Sequence, residues 1–135
     1  MSFAGVNYLA IVVAAVAAWI FGAVYYAGLG TRWMKAARID PSAAKMGAGL
    51  FVTSFVCELI MAWVLAGVIG HLGPGQVTFW NGVISALFIW LGFIATTTAV
   101  NQRYQGFGWE LTILDGLHWL GVAVIMGAVI GGWGV

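Results

Sequence analysis

Charged side chains are almost missing from this chain, making up 7% of its 135 residues where soluble domains carry about a quarter. With 63% hydrophobic residues and a mean hydropathy of +1.02, that shortage excludes a domain folded in water and puts the chain in a bilayer. The five Lys and Arg are scattered and the net charge is +1, which excludes the basic stripe a nucleic-acid partner needs. Cysteine is represented by Cys57 alone, so neither an intrachain disulfide nor a cysteine metal cluster can form. Also missing are a nucleophile elbow, a phosphate-binding glycine loop and an H-E-x-x-H pair, so no enzymatic activity, cofactor or metal is expected.

What the chain does have is four apolar runs, at about 6–29, 47–71, 78–100 and 109–133, each long enough to cross a hydrocarbon core of roughly 30 Å. The expected fold is all-α, a single integral membrane four-helix bundle over 1–135. The first run is read as a true span and not a signal peptide, since no Lys or Arg precedes it and it exceeds the usual apolar core of such peptides. The polar stretch from Gly30 to Lys45 reads as a basic loop, or as a short interfacial piece over Thr31 to Arg38. Within it, Asp40-Pro41 reads as an N-cap followed by proline at the first helical position, which starts the second helix early. Gly73-Pro74-Gly75 marks a tight turn. All five Lys and Arg fall in the first and third loops, so the positive-inside rule puts both loops in the cytoplasm and both termini on the outer, periplasmic side. Tyr25, Tyr26, Trp33, Phe79, Trp80, Trp109 and Trp133 fit interfacial aromatic belts.

Small residues recur every four positions: Ala10, Ala14, Ala18 and Gly22; Ala62, Ala66 and Gly70; Ala123, Gly127 and Gly131. Such stripes let helix backbones approach closely in lipid, where no hydrophobic force drives helices together. They serve either internal packing or a homo-oligomer or larger membrane complex. Glu58 lies in the middle of an otherwise uncharged run from Met46 to Leu72 and shares a face with Ser54 and Ala62. Asp115 and His118, three apart, face one way on the last span. Counting 1.5 Å per residue from each span's start puts Glu58 about 16 Å deep and His118 about 13 Å deep, which brings them level. Thr97 and its neighbours add hydroxyls in the same half. Glu58, Asp115, His118, Ser54 and Thr97 therefore form a candidate intramembrane polar cluster. It is read either as a packing device in which Glu58 pairs with His118, or as a proton- or cation-linked path. A three-ligand metal site and a single-histidine haem or pigment ligand at His118 are further readings.

Val6-Asn7-Tyr8-Leu9-Ala10, Gly22 to Tyr26, Trp33-Met34-Lys35, Trp90-Leu91-Gly92-Phe93, Thr96 to Thr98, Asn101, and Met126 to Gly131 before Trp133 together resemble a family of small bacterial integral membrane proteins described only by a domain of unknown function. The resemblance implies four helices in a bacterial inner membrane and carries no activity. The expectation is a small non-enzymatic accessory or scaffolding subunit whose partners are the lipid bilayer and either itself or a larger complex. The rival is a small proton- or cation-coupled transporter using Glu58 and His118.

Overall fold

The computed structural model describes residues 6–43 and 47–134. It contains four long apolar helices, Tyr8–Ala36, Ala48–Gly70, Phe79–Tyr104 and Trp109–Trp133, each long and apolar enough to cross a membrane. Among the described residues there is no strand.

The first helix starts where Asn7 accepts the Ala10 amide through its side chain at 3.0 Å, an N-cap that satisfies one of the orphan donors of the first turn. It then runs beyond its apolar stretch, through the basic residues expected to form a loop or interfacial piece, and ends at Ala36. Arg, Met, Lys and Ala are good helix formers, and Lys35 in the last turn complements the helix dipole, so nothing stops the helix sooner. The stop comes at Arg38, which turns left-handed at φ 58° while the Ile39 amide reaches back to the Met34 carbonyl at 2.8 Å. Asp40 does not cap the second helix. Its Oδ1 accepts from the Ser42 amide at 3.0 Å and the Ser42 hydroxyl at 2.8 Å, a local turn that competes with capping and holds the carboxyl below its usual range. The second helix begins instead at Ala48, after Gly47. Lys45 and Met46 lie outside the described residues.

The turn at Gly73 and Gly75 takes left-handed φ values of 97° and 77°, which glycine tolerates at little cost. The third helix then starts under a Thr78 cap on the Asn81 amide. Midway it widens into a π-helical stretch, Trp90–Ala95, before resuming α geometry at Thr96–Tyr104. The wider turns lag α rotation by on the order of 100° in total. Gly82, Ala86, Trp90 and Gln102 thereby all come to face the fourth helix, whereas an unbroken α-helix would rotate Gln102 about a third of a turn away.

The fourth helix is the centre of the bundle, with Leu114, Val122, Ala123, Met126 and Ile130 in the core. Its glycines take the third helix at backbone contact: a Cβ on Gly127 would meet the Gly82 carbonyl, and one on Gly131 would meet the Thr78 carbonyl. The first helix packs on its other side through Ala14, Ala18 and Gly22, all buried, and the second helix joins through Ala62, Ala66 and Ile69. Gly70 is exposed, and Gly67 is the buried glycine there. The third helix has its own small pair, Gly82 and Ala86, which the four-residue stripes in the sequence do not include.

Gly127→Ala should destabilise the protein by about 1–3 kcal/mol, since the new methyl meets the Gly82 backbone and the Ala86 Cβ, neither of which can swing aside. Gly92→Ala, where nothing lies within 4 Å, should stay within about 0.5 kcal/mol of wild type or gain slightly from helix propensity. Denaturant titration in mixed micelles, followed by tryptophan fluorescence, separates the two; equal midpoints would mean that the glycine contact does not hold the helices together.

Candidate functional site

The polar side chains of the bundle converge on Asp115. Its Oδ1 accepts from the Tyr26 hydroxyl at 2.8 Å and from the Trp33 indole N–H at 2.9 Å, and its Oδ2 accepts from the Gln102 amide at 2.9 Å. Tyr26 and Trp33 are two turns apart on one face of the first helix, and Gln102 is set on the facing side of the third by the π stretch. One carboxyl therefore joins three helices. The network continues outward in a single sense: the Arg103 guanidinium donates to the Thr112 hydroxyl at 2.7 Å, Thr112 donates to Gln102 Oε1 at 2.6 Å, and Gln102 donates to Asp115. Arg103 also lies 3.9 Å over the Trp109 ring and donates to the Gly108 carbonyl at 2.8 Å. Aligned donors of this kind polarise one another. Two further cross-helix bonds flank the carboxyl, from the Tyr25 hydroxyl to the Leu114 carbonyl and from the Trp90 indole to the Gly116 carbonyl. Outside them, Arg32 and Glu110 pair at the surface, where such pairs contribute little.

His118, one turn further along the fourth helix, is enclosed in rings. Phe21 stacks parallel to it at 6.2 Å, Tyr26 and Trp119 approach to 4.7 and 4.6 Å, and Nε2 lies 2.8 Å from where a Cβ on Gly22 would stand. Its Nδ1 is buried without a hydrogen-bond partner. Tyr26 belongs to both environments, giving its hydroxyl to Asp115 and its ring to His118.

Glu58 is separate from both. It is 3% exposed, its Oε1 has no partner, and no hydrogen bond joins it to His118. The reason is register. Trp19 of the first helix meets Phe51 and Phe55 of the second, which puts Glu58 near the level of Ala14 and Ala15, while His118 lies against Gly22. Along the bundle the two groups are about 10 Å apart. Equal depths follow only if the helices start level, and they do not: the fourth begins beside Arg32, and the second begins about two turns further in. Ser54 is exposed and bonds its own helix at Leu50, because the second helix stands clear of the bundle until Glu58. Thr97 is exposed as well. Among the described residues no group of three or more His, Cys, Asp or Glu is placed to hold a metal ion.

Of the sequence-level cluster, then, Asp115 and His118 share a site, Glu58 stands alone, and Ser54 and Thr97 belong to neither. The residues that complete the Asp115 network, Tyr26, Trp33, Gln102 and Thr112, are not part of that cluster. Tyr26 and Trp33 read in the sequence as belt aromatics; the signal available was that both carry a donor and stand seven residues apart on the face of the small stripe.

Asp115→Leu strands three donors and should cost at least about 2 kcal/mol. Asp115→Asn should fall between it and wild type, and Asp115→Asn with Gln102→Glu, which exchanges the carboxyl and the amide, should recover part of that loss. Unfolding midpoints in mixed micelles give the order; wild-type stability in Asp115→Leu would remove the network from any structural role.

Comparison with curated proteins finds no significant match, and comparison with solved structures finds none either. A family model does match, over residues 9–131, which include the Asp115 network, His118 and Glu58. The chain belongs to that family, described as a protein of unknown function, DUF1761.

Proposed function

We propose that this chain is a non-enzymatic multi-pass protein of the bacterial inner membrane, with both termini in the periplasm, serving as an accessory or scaffolding subunit that packs against itself or a larger membrane complex. The observation that carries this reading is the third helix: its apolar span is far less buried than those of the other three, and Trp80, Phe88, Leu91 and Phe93 stand outward along it. The polar groups of the network, by contrast, are turned inward and bonded to one another, as in a bundle built to hold its shape. Arg32, Lys35 and Arg103 lie near the ends of the first and third helices, at one end of the bundle, the distribution that a cytoplasmic face has. A photo-crosslinking residue at Phe88 or Phe93 should give discrete protein adducts in native membranes, while one at Val24 of the first helix should give lipid adducts only. Lipid adducts alone at all three positions would overturn the proposal.

A second reading has its own observation: of the four buried side-chain atoms without a partner among the described residues, two belong to Arg103 at the end of the third helix, and the others are Glu58 Oε1 and His118 Nδ1. Ionisable groups in that state at membrane depth are what proton- or cation-coupled transporters use. In proteoliposomes with a pH-sensitive dye, transport through them requires that Glu58→Gln lower proton flux at least about tenfold, the effect of a barrier raised by some 1.4 kcal/mol. Flux equal to wild type in Glu58→Gln and in His118→Ala removes this reading.

A further inference from the structure

The basic end of the first helix borders an open groove of about 790 Å3, within the size range of ligand clefts. One wall is the helix, with Gly28, Thr31, Arg32 and Lys35, and the other is the chain folding back through Ile39 and Pro41. Three cations, Arg32, Lys35 and Arg38, face a single carboxylate in this lining, Asp40, whose Oδ1 is taken up by Ser42. Among the described residues, the Lys35 ammonium makes no hydrogen bond or ion pair, and Arg32 meets Glu110 through Nε, which leaves its terminal nitrogens unengaged.

Two features give the groove a preferred occupant. The helix is 29 residues long, about 43 Å, against a hydrocarbon core of roughly 30 Å, so its last turns stand at headgroup level. From there an apolar track leads back toward the core: a Cβ on Gly28 would meet nothing within 4 Å, and Val24, one turn deeper on the same face, is 67% exposed. A soluble anion has no use for such a track or for the apolar Met34 and Ile39 in the lining. An independent sign comes from Arg38. It takes a left-handed conformation that glycine would adopt without strain, and its guanidinium is held by the Gly106 carbonyl at 2.8 Å and over the Phe107 ring at 5.1 Å. The position keeps a fixed cation at the groove wall in place of an unstrained turn. The negative end of the helix dipole opposes an anion here, but it amounts to about half a charge and three full cations surround it.

We propose that this groove binds the headgroup of an anionic phospholipid, its phosphate between Arg32 and Lys35 and the start of an acyl chain along Gly28 and Val24. The full chain is placed in nanodiscs of phosphatidylcholine with a minor fraction of photoactivatable phosphatidylglycerol, and lipid retained after delipidation is counted by mass spectrometry. Wild type should retain phosphatidylglycerol over phosphatidylcholine, with cross-links confined to residues 24–41. Lys35→Gln should lower that preference about fivefold, and Arg32→Gln with Lys35→Gln should lower it further by a similar factor, as each surface cation near anionic lipid contributes that much. Gly28→Leu leaves the charge unchanged and fills the track, so it should also abolish the preference, whereas Lys35→Arg should keep it. A preference unchanged in Gly28→Leu, or cross-links spread over the whole basic end, would reduce the effect to general surface charge and overturn the proposal. Displacement of the lipid by millimolar inorganic phosphate would overturn it in favour of a soluble anion.

Discussion

A polar side chain buried away from water costs free energy unless it is hydrogen-bonded inside the protein. Asp115 is where this chain meets that demand. Its two oxygens receive an indole, a phenol and an amide donor from the first and third helices, so one side chain of the central helix sets the rotation of both neighbours. Other features of that end accommodate this demand. The π stretch turns Gln102 inward, Thr112 and Arg103 extend the donor sequence to the surface, and Gly22 makes room for His118 beside the shared Tyr26.

The other end of the bundle is organised by the opposite means. There the third and fourth helices touch backbone to backbone at Gly82, Gly127 and Gly131, with no polar side chain between them. Dispersion at close range replaces hydrogen bonding, and this works because the lipid offers no better partner to a smooth glycine face. A bundle pinned by polar contacts at one end and by close packing at the other can leave the second helix comparatively free, and it does: from Ala48 to Cys57 that helix touches the bundle mainly through the rings of Phe51 and Phe55 on Trp19. Glu58 sits where it rejoins the core.

That position distinguishes Glu58 from the carboxyl at Asp115. Asp115 is surrounded by donors and is a structural acceptor as it stands. Glu58 is buried and has no donor at Oε1, which costs free energy that the Asp115 carboxyl, with its three donors, does not incur. The two carboxyls lie on separate helices and have different neighbours, and a single relay through both is not what the packing builds.

Much was determined by the sequence alone. Four apolar runs in a chain nearly without charge require four helices in a bilayer, and the small stripes at Ala14, Ala18, Ala123 and Gly127 mark faces that come to be buried, because period and composition are local properties of a helix. The end of the first helix was not legible, since a basic segment of good helix formers reads equally as loop or helix until its last turn is seen to close on Arg38. Nor was the pairing of polar residues. Which carboxyl meets which donor depends on how far each helix is shifted along its neighbour and how the π stretch rotates the third, and both are set by glycine contacts and ring packing between helices distant in the chain. A shift of two turns, invisible in any one helix, moved Glu58 away from His118 and gave Asp115 to Tyr26, Trp33 and Gln102.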